Sequence, residues 1–170
     1  IHGNTEGFTG TSSRQDLESL FKLLHLSFTA PRFDEDAYES YMRRLRQQVE
    51  TRANDPRGTF RLRLQEIYAQ GDPRQAPLTP ENVEELTLER MRTAYTDRFA
   101  GAGDFTFTLV GNVTTDEVRP LLEQYVASIE AGPTGETPRD RGFRPPRERI
   151  EEIVRAGSEP VSQVAILYSG

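Results

Sequence analysis

Cysteine is absent from the 170 residues, which excludes disulfides, thiolate metal ligands and thiol nucleophiles. Histidine is nearly absent, with only His2 and His25, so any metal or acid–base chemistry would fall mainly to carboxylates. Lysine is reduced to Lys22 among 21 basic residues, a bias toward arginine whose plainest source is genomic base composition. Positive charge is outnumbered: 27 acidic residues leave a net charge of -6, which argues against broad electrostatic affinity for nucleic acid. No apolar run is long enough to span a bilayer. Missing too are internal repeats, low-complexity tracts and any Gly-x-Ser-x-Gly nucleophile frame around Ser12-Ser13.

What is present is clearest between Asp104 and Ile129. Phe105, Phe107 and Leu109 alternate with Thr106, Thr108 and Val110, the period-two pattern of a strand, and Gly111-Asn112 stops it. Thr114 and Glu117 then have capping-box spacing, and Val118, Leu121, Leu122, Tyr125, Val126 and Ile129 form one apolar helical face. A helix this apolar calls for a sheet to cover, so the pattern predicts an α+β fold, an antiparallel or mixed sheet covered by helices.

The remaining segments are mostly helical in period. Residues 1 to 11 read as a weak or edge strand. Ser13 and Asp16 are placed to cap a helix whose Leu17, Leu20, Phe21, Leu24 and Phe28 share a face, broadened by Leu23 and Leu26, so burial over much of its circumference is expected. Pro31 ends it, and Asp34-Glu35-Asp36 open a second helix with Tyr38, Tyr41, Met42, Leu45 and Val49 inward. Asp55-Pro56 is an N-cap followed by proline at the first helical position, and Phe60, Leu64, Ile67 and Tyr68 mark the third helix. Thr79-Pro80 starts a short helix, and Leu88, Met91, Ala94, Tyr95 and Phe99 a longer one. Residues 131 to 148 form a Pro- and Gly-rich connector, after which 150 to 154 and 161 to 168 read as two strands of a hairpin around Gly157-Ser158. The opening at Ile1 and the stop at Gly170, just past an apolar run, predict an excised piece of a longer protein.

Candidate chemistry is sparse. His25 lies on an apolar helix with Thr29, not a ligand, at i+4, and suits a structural role. Asp34-Glu35-Asp36, Glu84-Glu85 and Glu151-Glu152 are neighbours in sequence, a poor arrangement for paired acid–base work, and fit helix starts and solvated faces. Arg43, Arg44, Arg46, Arg52, Arg57, Arg61 and Arg63 would suit phosphate or an acidic partner, but interleaved Glu39, Glu50, Asp55 and Glu66 favour a salt-bridged surface. Gly101-Ala102-Gly103 precedes its strand rather than following it, which disfavours a dinucleotide site.

Phe28-Thr29-Ala30-Pro31-Arg32-Phe33-Asp34, Asn54-Asp55-Pro56, Asp72-Pro73-Arg74, Tyr95-Thr96-Asp97-Arg98-Phe99 and Phe105 to Asn112 follow one another, and Phe143-Arg144-Pro145-Pro146 and Gly157 to Gln163 come after them. In this order the segments resemble the pitrilysin/insulinase family of zinc metallopeptidases, specifically its bacterial zinc-protease branch. This resemblance implies four related α+β modules in two halves that close around a peptide. The first module of such enzymes carries His-x-x-Glu-His, with the glutamate activating a zinc-bound water and a downstream Glu as third ligand. This chain has no His-x-x-Glu-His and no glutamate from Tyr41 to Gln48, so no catalytic, cofactor-binding or metal residue carries over.

The resemblance therefore implies a segment of the non-catalytic C-terminal half: residues 1–130 the later part of one module, 131–148 the linker, and 149–170 the first strands of the next. Zinc would reside in the parent's N-terminal module. The implied partners are that catalytic half and the parent's peptide substrate, with no nucleic acid or membrane, and self-association of the isolated piece is a further expectation. The location implied is periplasmic or otherwise exported in a bacterium. A non-enzymatic scaffold of the same fold is the alternative, as is an independent binding domain using the Arg-rich helices.

Overall fold

Most of the predicted features are helix starts, apolar faces or stops, and helices are what forms. The computed structural model describes residues 5–132, 135, 137, 139–140 and 142–168, which fall into two compact units. One comprises Ile1–Asp34 with Leu88–Pro138, the other Glu35–Thr87 with Arg139–Gly170.

The first unit holds α1 (Leu17–Thr29), which uses the predicted face: Phe21 and Phe28 are buried, and Leu17 and Leu24 pack beside them. Leu23 and Leu26 stay exposed, so α1 is covered on one side only, against the expectation of burial over much of its circumference. Its start keeps half of the expected cap, Asp16 N donating to Ser13 Oγ at 3.2 Å. Asp16 sends no side-chain bond into the helix; its carboxylate instead accepts from Ser13 Oγ at 2.7 Å. The chain then leaves this unit and returns as the helix Leu88–Arg98 and, after the Asp104 segment, the helix Thr115–Leu121. Thr114 and Glu117 make the predicted box, with Thr114 N donating to Glu117 Oε2 at 2.8 Å and Glu117 N to Thr114 Oγ1 at 3.4 Å. Pro120 removes one amide from the ladder, and directly beyond it Leu122–Val126 widens into a π-helical turn, Ala127 N donating to Leu122 O at 2.8 Å.

Two adjoining clusters make the core of this unit. Phe21, Val118 and Tyr125 gather Leu17, Val113, Leu121 and Val126; Phe28, Phe99 and Ile129 gather Leu24, Tyr95, Ala102 and Phe105. The second is aromatic. Phe28 meets Phe105 edge-on at 5.1 Å and Phe8 at 5.5 Å, and Phe99 stacks on Phe105 at 5.5 Å. Such pairs add about 0.5–1.5 kcal/mol each beyond area burial. Tyr95 donates its hydroxyl to Ser27 O at 2.8 Å, and burial raises its pKa.

The second unit is built on the helix pair α2 (Glu35–Asn54) and α3 (Pro56–Ala69), with α4 (Pro80–Glu84) against α2; in this numbering Leu88–Arg98 is α5 and Thr115–Leu121 is α6. Asp55 is the predicted cap, accepting from Gly58 N at 2.7 Å, with Pro56 at the first helical position. Gly58 is required by contact: a Cβ there would stand 1.9 Å from Arg52 O, so the α2–α3 turn closes only around a residue without one. Met42, Ala69 and Val83 are its buried apolar side chains. Tyr41 and Tyr68, expected inward, are exposed.

The α+β expectation fails. Among the described residues no strand ladder forms, and only Thr5 occupies an isolated β-bridge. The period-two signal at residues 105–110 reports a real two-faced segment, because Phe105 and Phe107 lie against Phe28 while Val110 is 90% exposed. Alternation describes faces and not pairing, however; a strand exists only when a second backbone answers its amides and carbonyls. No other described segment does so. The same holds for 150–154 and 161–168, where Val161, Val164, Ile166, Leu167 and Tyr168 are all exposed and the expected hairpin ladder is not made. The fold of the described residues is helical. The expected edge strand at 1–11 lies partly, and the connector at 131–148 partly, outside the described residues.

Candidate functional site

One concavity follows from helical spacing on α2. Arg44, Gln47, Gln48, Thr51, Arg52 and Asp55 recur at intervals of three, four and seven, which puts them on one stripe, away from Met42, Leu45 and Val49. With Gly58 and Arg61 of α3 they line an open groove of about 550 Å³. The close approach at Gly58 holds the start of α3 beside the end of α2 and so brings Arg61 to the stripe. Arg52 is fixed from across the pair: its Nη2 donates to Gln65 Oε1 at 3.0 Å, and Gln65 Nε2 donates to Gln75 O at 2.9 Å. Thr59 Oγ1 donates to Ala53 O at 3.1 Å and ties the turn.

The arginine series, expected to be one salt-bridged surface, separates into two sets. Arg46 Nε and Nη2 reach Glu84 at 2.7 and 3.1 Å, and Arg63 reaches Glu152 at 2.5 and 3.0 Å and Glu66 at 2.8 Å. Arg43 lies 3.7 Å from Glu39. Hydrogen bonds from Arg46 and Arg63 hold Glu84 and Glu152 below the usual glutamate range and raise the arginines in turn. Arg44 and Arg61, by contrast, have no carboxylate partner among the described residues, and both face the groove. Sequence reasoning missed this division. Its signal was the i, i+3, i+4, i+7 stripe from Arg44 to Thr51 that contains no acid.

The other candidates are engaged elsewhere. His25 is half-buried, with Nδ1 2.9 Å from Tyr125 O; a carbonyl only accepts, so Nδ1 carries the proton and serves packing. Glu84 goes to Arg46, while Glu151 and Glu152 part toward Arg149 and Arg63, so neither acidic doublet converges. Asp34-Glu35-Asp36 sits at the start of α2. Gly101-Ala102-Gly103 is used structurally, Ala102 N donating to Glu130 O at 2.9 Å and Gly103 N to Ala131 O at 2.8 Å. A smaller groove lined by Arg14, Leu17, Glu18, Val113 and Glu117 has its charges paired, Arg14 to Glu117 and Glu18 to Lys22. His2 lies outside the described residues.

Among the described residues no three His, Asp or Glu side chains converge as a metal would require. Zinc needs three or four nitrogen, oxygen or sulfur donors on one centre, so the side chains described do not fit it. The groove offers guanidinium, carboxamide and hydroxyl groups with a single carboxylate, Asp55, an excess of positive charge that suits anions.

The described residues thus form helical units, one of which carries a basic groove. Residues 85–170 match the family described as the peptidase M16 inactive domain, and the chain belongs to that pitrilysin-type family. It is 27% identical over 136 residues to the probable zinc protease PqqL of Haemophilus influenzae, covering 77% of this chain and 14% of that protein. It is 26% identical over 150 residues to the chloroplastic stromal processing peptidase of Pisum sativum, covering 84% of this chain and 11% of that protein. The chain thus spans well under a fifth of the length of either relative. No solved structure matches it significantly.

Proposed function

We propose that this chain is the catalytically silent part of a zinc-dependent metalloendopeptidase, contributing chamber wall and the contact between halves. The observation that carries the reading is the match of residues 85–170 to an inactive peptidase domain in a sequence that contains no His-x-x-Glu-His. Its module boundaries fall at 1–130, 131–148 and 149–170, and its partner is the N-terminal half of the same protein, where zinc activates water for attack on a peptide carbonyl. The parent works in the periplasm or another exported location of a bacterium. In isolation the chain self-associates through the exposed apolar residues Ile153, Val164, Ile166 and Tyr168.

The test is reconstitution. The N-terminal half and this chain, purified separately and then mixed, are assayed on a quenched fluorescent peptide. Neither part alone should cleave it efficiently, and the mixture should. Cleavage by the N-terminal half that is unchanged by this chain, or an upstream sequence without His-x-x-Glu-His, overturns the reading in favour of a scaffold. Light scattering that shows a strict monomer across concentration removes the self-association.

A further inference from the structure

We propose that the groove between α2 and α3 is a docking site for an extended acidic peptide segment of another protein. Three guanidinium groups face it, from Arg44, Arg52 and Arg61, against one carboxylate, Asp55, which is already turned to Gly58 N at 2.7 Å. The concentration of unpaired positive charge stands out in a chain of net charge -6. Elsewhere on the same helices arginine meets acid: Arg43 with Glu39, Arg46 with Glu84, Arg63 with Glu66 and Glu152. Only the groove-facing arginines of α2 and α3, joined by Arg57 outside it, lack such a partner among the described residues. Paired arginines are neutralised; those in the groove keep their field for a ligand.

Spacing and chemistry select a peptide over a nucleic acid. Arg44 and Arg52 are eight residues apart on one helix, about 12 Å along its axis. An extended chain advances about 13 Å in four residues, and residues four apart point to the same side. Carboxylates at i and i+4 therefore match the two guanidiniums, and the planar fork of each suits a carboxylate. Between them lie Gln47, Gln48 and Thr51, which both donate and accept and so can answer a peptide's amides and carbonyls. A phosphate backbone only accepts, and it would meet Asp55. The proposal does not depend on peptidase activity in the parent, since a scaffold would use the groove equally well.

Fluorescence anisotropy on the full 170-residue chain tests it, using a labelled Ser/Thr peptide with three glutamates spaced four apart, its Gln counterpart, and a single-stranded oligonucleotide of equal charge. At low ionic strength the Glu peptide should bind saturably, at least about three-fold tighter than the Gln peptide and tighter than the oligonucleotide. Arg44→Gln and Arg61→Gln should each weaken it about five-fold, whereas Arg57→Gln should change it by less than about two-fold. No saturable binding, Glu and Gln peptides within about two-fold of each other, a tighter oligonucleotide, or equal damage from Arg57→Gln overturns the proposal. The peptide arms need no variant, so they decide the matter even where a substitution disturbs folding.

Discussion

The two units are held by different forces. In the first, Phe8, Phe28, Tyr95, Phe99 and Phe105 pack ring against ring, and ten further side chains complete two apolar clusters. In the second, Met42, Val83 and Ala69 are the buried apolar residues, and cohesion comes from a close backbone approach at Gly58 with ion pairs such as Arg46–Glu84 and Arg63–Glu152. Burial of a large apolar side chain is worth about 1.5–3 kcal/mol, whereas an exposed ion pair contributes about 0–1. The first unit should thus be the more resistant to denaturant and the less sensitive to salt.

The largest effect should come from removing the ring at the centre of the first unit. Phe28→Ala loses edge contacts to Phe8, Phe99 and Phe105 together and should cost about 4 kcal/mol, read as a lower urea midpoint. The counterpart in the second unit is not a truncation but an addition. Gly58→Ala puts a methyl group against Arg52 O and should cost about 3 kcal/mol, and it should also blunt peptide binding by spreading the α2–α3 pair. A Gly58→Ala protein of native stability would break the comparison, since the second unit would then not depend on that approach. Thr114→Ala, which removes one capping bond from α6, is a smaller step of about 1 kcal/mol by the same measurement.

Local chemistry was legible in the sequence, and long-range pairing was not. The box at Thr114–Glu117, the Asp55-Pro56 and Thr79-Pro80 starts and the apolar faces of α1 and α6 all depend on residues within a turn or two of each other. The strand expectation at 105–110 depended on a partner that alternation cannot specify, so two-sidedness was read correctly and the sheet was not. The groove escaped for a related reason. Counting Glu39, Glu50, Asp55 and Glu66 among the arginines gave charge balance, but which arginine reaches an acid is set by Glu84 and Glu152, distant in sequence from the helices they bind. Family membership was legible because it rests on the order of many short segments and not on any single contact.

Acid should expose the electrostatic share of each unit. Glu84 and Glu152 in the second unit are lowered chiefly by hydrogen bonds from Arg46 and Arg63; Glu117 in the first is lowered chiefly by the Thr114 amide. A carboxylate whose folded pKa is depressed stabilises fully above its unfolded value, here 4.5, and that share is withdrawn as pH falls through the lowered folded value. The urea midpoint should therefore fall below about pH 4.5, and Arg46→Gln with Arg63→Gln should make that fall shallower. An unchanged acid slope in the double variant would show that the pairs add nothing to the second unit.

The smallest effect, and the most local, is at Asp140. Its carboxylate takes two bonds from Arg144, at 3.0 and 2.5 Å, and one from Gly142 N at 2.9 Å, which lower its pKa from 3.8 to about 2. Both partners lie within four residues, so the shift needs no helix packing and should survive Gly58→Ala. Carbon-13 NMR of the side-chain carboxyl should titrate near 2 in the intact chain and move up toward 3.8 in Arg144→Gln. If Gly58→Ala alone raised it as far, the ion pair would owe its geometry to the α2–α3 pair. The electrostatics of the second unit would then be a consequence of its backbone packing and not a separate source of cohesion.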